Sequence, residues 1–267
     1  MDVRKVESQQ EFLEVVEIEK AAWGFDNLLE STPPHVMQAS NKVGGLVLGA
    51  FHQNQMVGFC HTIPAFDSTL KAYHHMHSLG IYPHAKALHP GFAILAAHRL
   101  ASLKMKVDKV TWTFDPLEAR NANLYIRKVG AVVETPYIAN MYGESLLGGI
   151  NAGIPADRLI ATWHLHESRV ADRLNGVNLP SLALQQLQTN YPMLNFHDEK
   201  QEIPNQSFAL EIPADFQALK LENLKKALQI RITIRKVMTQ ALNHGRRIVD
   251  FHSVLKGNER RNFYIIE

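Results

Sequence analysis

The chain has 267 residues, 46% hydrophobic and 20% charged, an ordinary globular composition able to bury a substantial core in one large domain or two small ones. A net charge of +2 permits an anionic cofactor but falls short of the concentrated positive charge of a dedicated nucleic-acid binder. The opening "MDVRKVESQQEF" has neither an apolar signal core nor a transit pattern, and no stretch is apolar for long enough to cross a bilayer, so the expectation is a soluble cytoplasmic protein with neither membrane nor nucleic acid as partner. Cys60 is the only cysteine, which excludes an intramolecular disulfide and a thiolate metal cluster; its apolar strand context predicts a buried, inert thiol.

In chain order, "VRKV" (3–6) predicts a strand, and "SQQEFLEVVEIEKAAWG" a helix capped by Ser8 and ended by Gly24, with Phe12, Val15, Val16 and Ile18 at helical spacing. "STPPHVMQASNKVGG" starts a shorter helix with proline near its first turn. "GLVLGAFHQ" and "QMVGFCHTIPAF", joined by "HQNQ", read as a hairpin, and "AYHHMHSLGIY" (72–82) as a third strand. "IYPHAKALHPGFAILAAHRLASLKM" (81–105) then reads as strand end, polar turn and helix, the arrangement that cradles phosphates elsewhere. "VDKVTWTFD" (107–115) is a strand, "ARNANLYIRKVGA" a helix with Gly130 just past its end, "AVVETPYIANMYG" a strand and "DRLIATWHL" (157–165) another.

Residues 166–205 are weakly periodic and dotted with Asn, Pro and Gln, which predicts a linker or irregular wrap. Beyond it, "FALEIP" is a strand. A long helix is expected from Leu219 to Asn243, with Leu221, Leu224, Leu228, Met238 and Leu242 on its inner side and Gly245 as its stop. "RRIVDFHSV" and "RNFYIIE" form a final strand pair. The expected class is α/β (α+β), divided into 1–165, the wrap 166–205, and a smaller α/β subdomain 206–267.

The succession of strand, phosphate-type turn and helix, then strand, helix and strand, resembles the GNAT superfamily of acyl-CoA-dependent N-acyltransferases. "HMHSLGIYP", "TWTFDPLEARNANLYIRKVGA", "MYGE", "GIPADRLIATWHL", "SRVADRLNG", "EIPADFQALK" and "IRITIRKV" together resemble a little-characterised branch of acetyltransferases within it. The resemblance implies a mixed central sheet flanked by helices, and a turn of the form Q/R-x-x-G-x-G/A whose amides hold the pyrophosphate of coenzyme A. The pattern falls on Lys86, Ala87, Leu88, His89, Pro90 and Gly91. Only the last glycine matches: His89 puts a Cβ where glycine allows close approach, and Pro90 has no N–H to give. Three readings of the turn stay open: intact acyl-CoA binding, a lost site kept as structure, or another anionic ligand.

Further site residues follow from the resemblance. Leu79, Ile81, Lys86, Gly91, Phe92 and Asn121 are implied in holding acetyl-CoA or another acyl-CoA. In the superfamily a tyrosine at the position of the motif L-Y-x-K-x-G often protonates the departing thiolate, and "LYIRKVG" supplies Tyr125 there, although Ala122, Tyr125, Ile126 and Val129 also share one apolar helical face. His75 and His77 alternate onto one face of their strand and are candidates for the base; hydrogen-bonded bystanders in a chain with 14 histidines are the competing reading. With no identified carboxylate partner they make a poor ligand set, and no metal is expected. Asp115, Arg120, Arg231 and Arg235 are the substrate-binding candidates; the two C-terminal arginines, at i and i+4, form a positively charged edge or the solvated flank of a helix. The combined expectation is an N-acyltransferase acting on a small amine, with a homodimer left open. The alternative is an inactive GNAT-fold binding or sensing protein that has lost coenzyme A.

Overall fold

The computed structural model describes residues 1–24, 30–143, 149, 152–177, 182–198 and 200–267. Strands β1 (Asp2–Lys5), β2 (Leu46–His52), β3 (Gln55–Phe66), β4 (Ala72–Ile81), β5 (Lys109–Phe114) and β6 (Leu159–His164) form one sheet in sequential order, antiparallel from β1 to β4 and parallel between β4 and β5. A second sheet has the order β7 (Met193–Leu194), β8 (Phe208–Ile212), β10 (Glu259–Ile266), β9 (Ile248–Lys256). The mixed α/β class is the expected one. The chain forms two compact units, one from Met1–Trp112, Ser145–Ala152 and Trp163–Ser168, the other from Thr113–Glu144, Gly153–Thr162 and Arg169–Glu267. The second unit thus takes in residues from before, within and after the stretch 166–205.

The first unit follows its local sequence closely. Helix α1 (Gln9–Trp23) starts with a capping box: Ser8 Oγ accepts from the Glu11 N–H at 3.2 Å, and the Glu11 carboxylate accepts from the Ser8 N–H at 3.1 Å. It stops at Gly24, whose φ of 68° suits a residue without a Cβ. Helix α2 (Pro34–Lys42) begins on proline, where a missing N–H costs nothing. Gln53 and Asn54 both have positive φ, as a two-residue hairpin between β2 and β3 requires. The apolar stripe of α1 (Phe12, Val15, Val16, Ile18) packs with Val6, Met37, Val47, Phe51, Met56 and Phe59 into one core. Cys60 is buried within β3, and burial pushes its thiol up to about 12. Helix α3 (Pro90–Lys104) follows β4.

The second unit departs from its local sequence in four places. Helix α4 (Ala119–Ala122) runs on as a π-helix through Asn123–Lys128, with the Val129 N–H donating to Leu124 O at 3.1 Å, before Gly130 turns the chain. The segment "AVVETPYIANMYG" is not a strand: Val132, Val133 and Ile138 make isolated bridges, because Pro136 cannot join a ladder and Asn140 turns with positive φ. The expected irregular wrap contains helices α5 (Ser168–Leu174) and α6 (Leu184–Asn190) and strand β7, with Val170, Leu187 and Leu194 buried; its residues 178–181 and 199 lie outside the described residues, as does Glu144 of "MYGE". The expected long helix is two, α7 (Phe216–Glu222) and α8 (Leu224–Asn243), because Asn223 leaves helical geometry and its side chain accepts from the Lys226 N–H at 2.9 Å. The inner face differs from the expected one as well. Leu221 (86% exposed), Leu224 and Leu228 face outward, whereas Ala227, Ile230, Ile234, Val237, Met238, Ala241 and Leu242 are buried. A separate core joins Leu187 to Ala209, Val249, Val254, Phe263 and Ile265. Among the described residues no helix is long and apolar enough to cross a membrane, and no group of three His, Cys, Asp or Glu side chains could hold a metal ion.

Candidate active site

In the first unit, β4 pairs with β5 only at His74↔Val110 and His75↔Thr111, yet continues to Ile81. From Met76 onward its edge toward β5 therefore has backbone groups without ladder partners, while the other edge stays paired to β3. The β3 register shifts here: Thr62 pairs with Met76 and His61 with Ser78, so His77 is the extra residue of a β-bulge. Leu79 and Ile81 are half-buried on the unpaired stretch.

A 3-10 turn, Pro83–Leu88, connects β4 to α3, and His89 caps it with φ 52° and ψ 42°. Lys86 and His89 are exposed; Gly91 is buried in the first turn of α3 and Phe92 half-buried. The His89 N–H donates to Lys86 O at 3.2 Å, the Phe92 N–H to His89 O at 3.2 Å, and Pro90 has no N–H. Of the expected anion-facing amides, Phe92's is thus already engaged; Gly91 keeps a first-turn position, where helix amides lack intrahelical acceptors.

Three imidazoles gather around the bulge. His75 Nδ1 lies 2.9 Å from Thr111 Oγ1, and the ring centroids of His61 and His77 are 5.6 Å apart. Ser40 already donates its hydroxyl hydrogen to Val36 O, so His61 Nε2, 2.9 Å from Ser40 Oγ, carries the proton; His61 Nδ1 is buried without a partner. Burial, with His77 adding to it, pushes His61 down to about 4. Burial and His77 lower His75, so His61 and His75 are held toward the neutral, proton-accepting form, while His77 itself stands exposed at the bulge. On the opposite, α3-facing side, His74 hydrogen-bonds Ser102 Oγ (2.9 Å) and donates to Gly44 O (3.0 Å), while buried His98 meets Thr62 Oγ1 (3.0 Å) and burial pushes it down to about 3.

In the second unit, Asp115 does not cap α4. Its carboxylate accepts from the Leu117 N–H at 2.8 Å and takes a bidentate grip from Arg231 at 2.7 and 2.5 Å. One turn along α8, Arg235 grips buried Asp157 at 2.9 and 2.8 Å, and Asp157 also accepts from Tyr137 Oη (2.6 Å) and the Asn140 N–H (2.9 Å). Arg231 is 2% exposed, so it offers no open positive edge, and neither arginine awaits an anion. Arg120 is exposed and Asn121 half-buried, with no side-chain hydrogen bond at Arg120 among the described residues. Tyr125 lies in the π-helix, 6% exposed, with its ring edge-on to Phe114. Arg173 holds the carbonyls of Ile126 and Arg127, the second at 2.8 Å, and Arg169 holds Gly130 O at 3.0 Å.

The structure thus brings His75, His77, Leu79, Ile81, Lys86, Gly91 and Phe92 onto one strand–turn–helix unit, and ties Asp115 to Arg231. Sequence reasoning missed His61 and the buried carboxyl of Glu19 on α1. His61 could have been found only from the β3–β4 register, which sets it opposite Ser78.

No protein-family model and no curated protein matches the chain by sequence. By structure, it is similar to a ribosomal-protein-alanine N-acetyltransferase of Brucella melitensis, with 16% identity, 61% of this chain and 98% of that one covered, and a TM-score of 0.50. A Streptococcus mutans protein aligns with 15% identity over 62% of this chain and 100% of its own, also at a TM-score of 0.50. At such identities the likeness establishes fold, and that fold is the one GNAT acetyltransferases share.

Proposed function

We propose, from the GNAT fold of this chain, that it is an N-acyltransferase that moves an acyl group from acyl-CoA to a small amine. The observation that carries the reading is the release of β4 from β5 after His75, which leaves an open backbone edge beside a bulge and a cluster of neutral imidazoles. Peptide-like amides can pair with such an edge as an added strand does. Coenzyme A carries such amides in its pantetheine arm, and its pyrophosphate would lie toward Lys86, Gly91 and Phe92. Leu79, Ile81 and Asn121 complete the proposed cofactor-binding set. The fit at the turn is partial, since His89 stands where the motif has glycine and Pro90 offers no donor.

When bound, acyl-CoA supplies a thioester carbonyl. His75 or His77 would accept a proton as the amine nitrogen bonds to that carbonyl carbon and the C–S bond breaks; Tyr125, in the second unit, is the residue proposed to protonate the thiolate. Arg120 is the proposed contact to the acceptor in the second unit. Asp115, Arg231 and Arg235 serve as scaffold in this account, because their charges are already matched.

A second reading, a sensing protein that no longer holds coenzyme A, draws on the same turn: the His89 and Phe92 amides are both committed to local carbonyls. Calorimetric titration with acetyl-CoA and desulfo-CoA separates the two. Binding by the native chain supports the transferase. Binding only after His89→Gly supports the sensor.

A further inference from the structure

Tyr125 sits in a helical turn that does not satisfy its own carbonyls. The Val129 N–H donates to Leu124 O, five residues back, at 3.1 Å, and the Ala131 N–H reaches six back to Tyr125 O at 3.0 Å. In an α-helix those two amides would serve Tyr125 O and Arg127 O, each four residues back. The wide turn of the π-helix Asn123–Lys128 thus takes from Arg127 O the amide that an α-helix would give it. Helix α5 supplies the replacement from outside. Arg173 Nη1 donates to Arg127 O at 2.8 Å and also to Ile126 O, and one turn earlier Arg169 Nε donates to Gly130 O at 3.0 Å. A Cβ on Gly130 would meet Arg169 Cγ and Arg173 Cδ at 3.2 Å, so glycine, with φ 82°, lets both arginines lie against the end of the turn.

The donor is itself held. One oxygen of Asp250, on β9, accepts from Arg127 Nη1 at 2.7 Å, and the other lies 3.5 Å from Arg173 Nη2. The Arg173 side chain is only 6% exposed. Burial first, then Arg169, lower its guanidinium to about 10 while Asp250 opposes them, so Arg173 stays charged at neutral pH and depends on that carboxylate.

We propose that Arg173, anchored on Asp250, is a positioning residue for the Tyr125 phenol: it holds the π-turn open and so fixes the direction in which Tyr125 leaves the helix. The proposal rests on the acyl-transfer reading, in which Tyr125 is the acid, and deepens it by naming what aims that acid. Without Arg173 the turn can tighten to the α pattern, with the Val129 and Ala131 amides returning to Tyr125 O and Arg127 O. Taking one residue out of a turn rotates the side chains on its two sides by about 100° relative to each other. The Tyr125 ring, edge-on to Phe114 with centroids 5.6 Å apart, reports that rotation.

The test labels the tyrosines of the full chain with carbon-13, assigns Tyr125 by the signal lost in Tyr125→Phe, and follows that signal in Arg173→Met, Arg173→Lys, Asp250→Asn and Arg261→Met. Arg261 grips Glu211 at 2.6 Å in the same unit and is the control for loss of a guanidinium alone. The expected result is a displaced or doubled Tyr125 signal in Arg173→Met, a smaller displacement in Asp250→Asn, a return toward the native signal in Arg173→Lys and no change in Arg261→Met. Coenzyme A release from acetyl-CoA, with butylamine as the acceptor, should fall at least tenfold in kcat in Tyr125→Phe and in Arg173→Met, with KM for acetyl-CoA unchanged, and no further in the double variant. A native Tyr125 signal in Arg173→Met overturns the proposal, and if that variant folds poorly a native signal in Asp250→Asn does so; losses of kcat that multiply in the double variant overturn it as well. A native kcat in Tyr125→Phe overturns instead the reading of Tyr125 as the acid, which the tyrosine signal in Arg173→Met tells apart.

Discussion

The carboxylates inside the first unit and those inside the second are held on opposite principles. Among the described residues of the first unit, Glu19 is buried without a cation, and His61 Nδ1 and Ser31 Oγ are buried without partners. Around α8, by contrast, Asp115 and Asp157 each meet an arginine fork, and Asp157 collects two more donors. Unmatched buried polar groups cost stability and persist where a ligand or a proton can use them; matched ones hold elements together. On the proposed function, the Asp115–Arg231 and Asp157–Arg235 pairs are scaffold, and the proton-accepting chemistry belongs to the first unit.

Acid sharpens the contrast most. Burial holds His98 near 3 and His61 near 4 in the folded chain, below the ordinary histidine value, so their contribution is fully present above about pH 6.5 and is lost as the pH falls from there to the folded values. Every tenfold rise in proton concentration across that window costs about 1.4 kcal/mol per ring, which gives a loss of about 3 kcal/mol per ring by pH 4. Urea unfolding between pH 7 and 4 should show it, with a shallower slope in His98→Met; an unchanged slope would detach the acid response from the first unit. Next in size, Arg231→Met strips Asp115 of its bidentate partner and should destabilise by about 3 kcal/mol, while the folded fraction binds acetyl-CoA as the native chain does. Weaker coenzyme A binding by that folded fraction would break the division into site and scaffold.

His89→Gly should strengthen acetyl-CoA binding by about tenfold, roughly 1.4 kcal/mol, by removing the Cβ and ring from the turn. The smallest effect is expected at Leu228→Gln. That residue stands on the outward face of α8, and unfolding experiments should find a change within about 0.5 kcal/mol. A loss of several kcal/mol there would mean that the outward leucines of α8 are covered.

Leu228 also shows where the sequence stops being legible. Local signals located α1, whose Ser8–Glu11 capping box and Gly24 stop act within a few residues, and they located the β2–β3 hairpin through its turn. They also located β4, the turn and α3. They misplaced the inner face of α8 because Leu224 and Leu228 share a helical face with Met238 and Leu242, yet only the later pair is covered, which depends on what packs along the helix and not on its period. "AVVETPYIANMYG" looked like a strand because composition is local, whereas joining a ladder depends on Pro136 and on available partners. The proposed site residues divide in the same way. His75 and His77 are readable from strand alternation, although the bulge at His77 is not. Arg173, far in sequence from the carbonyls it holds, and the Asp115–Arg231 pair depend on contacts that no short motif encodes.

The central claim is that the open stretch of β4 and the start of α3 receive an acyl-CoA. Amide hydrogen exchange of the native chain with and without acetyl-CoA tests it directly. Slower exchange is expected across Met76–Ile81 and at Gly91, with α8 unchanged. Exchange that is unaltered at saturating acetyl-CoA, or protection confined to α8, would contradict it.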